Sequence, residues 1–138
     1  MAKLDKELAD KIELLREETI TCYTNGDAEG AINTITKAWD LLPDPKTIRD
    51  ESFMIVELMV DLFIKTEDFT KANQWIDLIF ICDLERIDGG DREFIAGKLA
   101  YEQGNLGKAK EMFFVANLKS KGRIFGSKDP KYIKLIKK

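Results

Sequence analysis

Gly26-Asp27-Ala28-Glu29-Gly30-Ala31-Ile32-Asn33-Thr34-Ile35-Thr36-Lys37-Ala38 reads as a turn followed by a small, a bulky and a small residue at Ala31, Ile35 and Ala38. Residues four and seven apart share one face of a helix, so these three form a ridge: its ends admit a close neighbour and its centre fills the neighbour's groove. The pattern returns twice. Glu67-Asp68 precedes Ala72, Ile76 and Ile79, and Gly104-Asn105 precedes Ala109, Phe113 and Ala116. The leading alanines, at 31, 72 and 109, stand 41 and 37 positions apart. A recurrence at roughly 20 to 50 residues marks repeated supersecondary units, each burying its apolar face against the next.

Helical periodicity fills in the rest. Leu4, Leu8, Ile12 and Leu15 predict a first amphipathic helix running to about Thr24 and stopped by Asn25-Gly26. Asp27 starts a second helix that carries Ala31, Ile35, Ala38 and Leu42 and is ended by Pro43-Asp44-Pro45. A third opens at Pro45 or Thr47 and runs through Phe53, Val56, Met59, Val60 and Phe63; a fourth runs from Phe69 to about Cys82. Residues 83 to 90 read as a loop. A fifth helix from Asp91 to Gln103 is turned by Gly104-Asn105 into a sixth, expected to continue toward Arg123 or Phe125. Asp129 as N-cap and Pro130 at the first helical position start a short closing helix, Lys131 to Lys137, whose Tyr132, Ile133, Leu135 and Ile136 would dock on the last hairpin.

The expected fold is therefore all-α: a right-handed stack of three helical hairpins, about 4–42, 46–82 and 91–125, plus a C-terminal capping helix at about 130–137, in one domain. With 138 residues and only 3 prolines, the chain has the length and composition of a single helical domain. Charges alternate with apolar residues from Met1 to Leu15, so no secretory signal is expected, and no stretch suits a bilayer span; a cytoplasmic protein follows. Cys22 and Cys82 read as free thiols.

The absence of histidine removes the commonest general base, the commonest metal ligand and every nucleophile pair that depends on one. No phosphate loop or paired CxxC is present. Catalysis, a cofactor and a metal are not expected. Charge is polarised instead: residues 1 to 94 hold 22 acidic and 11 basic side chains, net −11, and residues 95 to 138 hold 3 acidic and 11 basic, net +8. Such a chain steers a charged partner to one end.

These residues resemble the tetratricopeptide repeat (TPR) family. Gly26 to Ile32 with Ile35, Ala38 and Pro43 looks like the second half of one repeat, and Gly97, Tyr101, Gly104, Ala109, Phe113 and Ala116 match another. The middle unit departs, with Val60 for glycine, Glu67 at the turn glycine and Ile79 for alanine, and the spacing exceeds the family's usual repeat. Residues 40 to 138, through Leu42-Pro43-Asp44-Pro45-Lys46, Asp61 to Phe63, Asp68-Phe69, Gly104-Asn105 and the tail Ile124-Phe125-Gly126 to Asp129-Pro130-Lys131-Tyr132, are similar to small bacterial repeat proteins encoded beside polymorphic toxins and taken to be their immunity proteins.

The resemblance implies a concave partner surface on the first helix of each pair. The corresponding positions are Glu13, Arg16, Ile20 and Tyr23, then Met54, Glu57, Asp61 and Ile64, then Asp91, Phe94, Lys98 and Tyr101. Aromatic anchors inside a charged rim suit a protein interface, although Tyr23, Phe94 and Tyr101 also suit a core. Only Arg16 and Lys98 are basic there, too few for a peptide-carboxylate clamp. The implied function is neutralisation of a basic toxin domain, such as one acting on nucleic acid. A peptide-binding scaffold or secretion chaperone is the alternative; a second is direct nucleic-acid binding through the basic C-terminal region, with Phe125 and Tyr132 stacking on bases. Tail docking explains those apolar positions better. No membrane role is expected, and the oligomeric state stays open.

Overall fold

The computed structural model describes residues 4–82 and 89–137. It is all-helical, and no strand occurs among the described residues. Among the described residues seven α-helices follow in order: α1 Lys6–Thr24, α2 Ala28–Leu41, α3 Ser52–Lys65, α4 Phe69–Ile79, α5 Asp91–Glu102, α6 Leu106–Ser120 and α7 Pro130–Lys134. The chain divides into two compact units, Met1–Leu84 and Glu85–Lys138. The first holds the hairpins α1–α2 and α3–α4, joined by packing of α2 on α3; the second holds α5–α6 and the tail.

The three hairpin turns share one backbone design. In the first, the N–H of Gly26 donates to the Tyr23 carbonyl at 3.0 Å and that of Asp27 to the Cys22 carbonyl at 2.8 Å. Glu67 and Asp68 repeat this pair at 3.0 and 2.8 Å, as do Gly104 and Asn105. This double bond satisfies the orphan carbonyls of a helix end and places its central residue in the left-handed region. Gly26 and Gly104 sit there at φ 81° and 86° without penalty; Glu67 sits there at 58° and carries a Cβ into it. The next helix is then capped each time by a side chain, Asp27 accepting from the Gly30 N–H, Asp68 from Lys71 and Asn105 from Lys108.

Each small-bulky-small ridge is buried as read. Ala31, Ile35 and Ala38 pack inside the first unit with Ala72, Ile76 and Ile79, and Ala109, Phe113 and Ala116 lie in the core of the second. The larger Ile79 is fully buried in place of an alanine. In the second unit the close approach is made on α5: a Cβ at Gly97 would stand 2.6 Å from the Phe113 ring.

Several boundaries differ from expectation, and capping explains them. The third helix starts at Ser52, because residues 46–49 are engaged elsewhere. Lys46 Nζ donates to the carbonyls of Leu42 at 2.7 Å and Trp39 at 3.1 Å, closing the end of α2. Arg49 donates to those of Pro43 and Asp44, and the Ser52 hydroxyl to those of Thr47 and Arg49. Lys46–Ile48 forms a single 3₁₀ turn instead. Helix α4 ends at Ile79, before Cys82. Helix α6 stops at Ser120, because Lys121 and Gly122 both adopt positive φ; a 3₁₀ turn, Arg123–Phe125, follows. The closing helix ends at Lys134, capped by Asp129 as expected. Most of the expected loop, residues 83–88, lies outside the described residues. Neither cysteine is in a disulfide; Cys22 is half-buried and Cys82 buried.

Candidate functional site

In the first unit, α3 buries nine of its fourteen residues. Its partly exposed residues, Met54, Glu57, Leu58 and Asp61, continue to exposed Lys65 at spacings of three and four, which is a single stripe along the helix. Ile64 is not on it: it turns inward and is buried, a correction to the expected contact set, and Leu58 and Lys65 take its place. The position carried over from the repeat pattern, Ile64, falls one residue short of Lys65.

Helix α1 contributes Glu13, Arg16, Ile20 and Tyr23. Ile20 and Tyr23 are exposed, and Lys65 Nζ stands 5.9 Å from the centre of the Tyr23 ring. That cation–π contact joins the α1 residues to the α3 stripe as one face. Arg16 is held by Glu13, its Nε 3.0 Å from Oε2 and its Nη2 2.6 Å from Oε1. This hydrogen bonding holds the Glu13 carboxyl below the usual carboxylate range and raises Arg16. The one basic side chain that the concave set places on α1 is thus neutralised locally. The face combines two half-buried carboxylates on α3 with apolar Ile20, Met54 and Leu58 and the Tyr23 ring.

The equivalent face of the second unit is occupied. Phe94 is buried beneath Phe125 and Tyr132, with ring centres 5.4 and 5.7 Å away, and Tyr101 packs edge-on to Tyr132 at 5.2 Å. Phe94 is therefore core, a correction to its expected role as a contact residue, and half-buried Tyr101 is spent on the tail. Asp91 and Lys98 are half-buried on α5. The tail is fixed by a polar contact that the sequence did not single out. Glu102 Oε1 accepts from the Tyr132 hydroxyl at 2.7 Å and pairs with Lys131 Nζ at 2.8 Å. Burial pushes the Glu102 carboxyl up, but hydrogen bonds from Lys131 and Tyr132 and the charges of Lys131 and Lys98 outweigh it, so it titrates below the ordinary range. The hydrogen bond to Glu102 raises Lys131.

Phe125 and Tyr132, the aromatic residues offered for base stacking, are buried in this cluster and present no open ring face. Lys119 pairs with Glu93 at 3.1 Å, and Lys128 lies over the Phe94 ring. Among the described residues, no group of three or more His, Cys, Asp or Glu side chains is arranged to hold a metal ion, and no helix is long and apolar enough to cross a membrane. No protein-family model matches the chain, and no curated protein matches it as a relative.

Proposed function

We propose that this chain is a TPR-like protein-binding module without catalytic activity that acts as an immunity protein, neutralising a cognate bacterial toxin domain by covering its active site or substrate groove. The observation that supports the reading is the face joined at Tyr23 and Lys65. There Glu57 and Asp61 flank Met54 and Leu58 on one helix stripe. Partly desolvated carboxylates among apolar side chains suit a partner that brings Lys and Arg, as a domain built to bind phosphate does. An inhibitor with this surface occupies the place of the nucleic acid. The assignment to toxin neutralisation leans on the resemblance of the tail, Ile124 to Tyr132, to bacterial immunity proteins.

The peptide-clamp alternative is weakened by Arg16, whose guanidinium is committed to Glu13. The test is a pull-down from the native host with the tagged chain at moderate salt, followed by assay of the captured domain. One stoichiometric basic domain whose toxic activity stops on adding the chain supports the proposal. A spread of unrelated clients, or RNA alone, contradicts it.

A further inference from the structure

Two exposed helix faces in this molecule are opposite in charge, and each has an exposed apolar side chain at its centre. On α6, Phe114, Val115 and Leu118 are 56%, 38% and 63% exposed, although they lie together on one side of the helix. The side opposite them carries Ala109, Phe113, Ala116 and Ser120 into the core. Lys110 borders the apolar stripe on one edge and Lys108 and Lys119 on the other, Lys119 being paired with Glu93; Lys121 follows directly as the cap after Ser120. On α1 the outermost side chain is Leu14, 64% exposed, with Glu7, Asp10, Glu17 and Glu18 exposed around it; Lys11 shares this face, and Asp10 is paired with Lys6 at 3.0 Å. This face of α1 is distinct from the one carrying Arg16 and Tyr23.

The unit that contains α1, Met1–Leu84, holds 18 acidic and 9 basic side chains; the unit that contains α6, Glu85–Lys138, holds 7 and 13. The corresponding net charges are −9 and +6. Each copy therefore carries both members of a complementary pair. The spacing also matches. Glu7 and Glu18 are eleven residues apart, about 16 Å along α1 at 1.5 Å per residue; Lys110 and Lys121 are eleven apart too, Lys110 on α6 and Lys121 at the cap that ends it. Laid antiparallel, Glu7 meets Lys121, Glu18 meets Lys110, and Leu14, seven residues beyond Glu7, meets Phe114, seven before Lys121.

We infer that the α6 stripe of one copy docks on the acidic α1 face of a second copy, giving a head-to-tail association. Such a contact is heterologous. Every added copy leaves one acidic and one basic face open, so growth passes beyond a dimer unless the ring closes. A single-helix contact falls short of the roughly 800 Å² per partner of a stable complex, so the association is weak and electrostatically driven. Alignment also places Glu17 level with Glu111, the one like-charge meeting, so Glu111→Lys strengthens it.

Sedimentation velocity of the full chain tests this, over a hundredfold range of concentration at about 0.01 M and about 1 M salt, where the screening length falls from about 30 Å to about 3 Å. The expected result is a sedimentation coefficient that rises with concentration at low salt and stays at the monomer value at high salt. Glu18→Lys and Lys110→Glu, both at exposed positions, each weaken association at least tenfold, and mixing the two variants restores it, because each then meets its complement. Phe114→Gln weakens it without changing net charge. A monomer under all conditions overturns the inference, whether or not it binds anionic vesicles or an acidic peptide. So does association that ignores the charge reversals, or a mixture as weak as its components.

Discussion

The faces of α3 and α5 occupy corresponding places in two hairpins with the same turn, yet one is open and the other is filled. On α3 the stripe from Met54 to Lys65 reaches solvent, and Lys65 lies over the Tyr23 ring of α1. On α5 the same register holds Phe94 and Tyr101, and the chain's own tail lies on them through Tyr132 and Phe125. Identity at the position decides the outcome. The half-buried carboxylates of Glu57 and Asp61 keep access to solvent, whereas the rings of Phe94 and Tyr101 left bare would expose a large apolar surface, and the tail covers them. The tail thus acts as the third hairpin's permanent occupant.

The sharpest way to break this contrast is to remove the occupant's anchor. Tyr132→Ala deletes a buried ring in contact with Phe94, Tyr101 and Phe113 and is expected to cost about 3–5 kcal/mol. Tyr23→Ala, which removes an exposed ring of the open face, is expected to change stability by less than about 0.5 kcal/mol. Urea unfolding of the two variants measures the difference, and equal losses would mean that the first face is not open.

Gly97→Ala comes next. Its Cβ meets the Phe113 ring at 2.6 Å, and the overpacking is expected to cost about 1–3 kcal/mol. Thermal melting would report it as a lower midpoint. Glu67→Gly should act in the opposite direction: relief of the left-handed strain at φ 58° stabilises the middle turn by about 1 kcal/mol, while Gly26→Ala and Gly104→Ala destabilise theirs by a similar amount. Opposite signs at three turns of identical hydrogen bonding are the mark of a shared design.

The smallest effect is one of pH. Glu102 titrates below its reference value of 4.5 when folded. Its contribution to stability is therefore fully present above that value and is lost as pH falls through the lower folded value. Glu102→Gln should flatten the acid limb of a stability-against-pH curve below 4.5. A wild-type curve already flat there would show that the tail latch adds nothing.

Much of this was written in the sequence. The ridges at Ala31, Ala72 and Ala109, the turns before them and the Asp129-Pro130 start all rest on local offsets, which a chain displays directly. What escaped depends on contacts between elements distant in sequence. Nothing near Lys46 announces that its ammonium will close α2 and delay α3 to Ser52. Burial of Phe94 requires Tyr132, 38 positions later, and Glu102 gains meaning only when Lys131 and Tyr132 arrive beside it. Ile64 illustrates a different limit. A position carried across by pattern was off by one residue, and one residue on a helix is a rotation of about 100°.

The central claim is that the open α1–α3 face is where a basic partner binds, and the affinity of the captured domain for charge-reversed chains tests it most directly. Glu57→Lys with Asp61→Lys, shown by melting to remain folded, is expected to lose at least a hundredfold in affinity, while Lys98→Glu on the tail-covered unit stays within about threefold of wild type. Unchanged binding by the doubly reversed chain, or a large loss at Lys98 instead, would place the partner elsewhere and contradict the account.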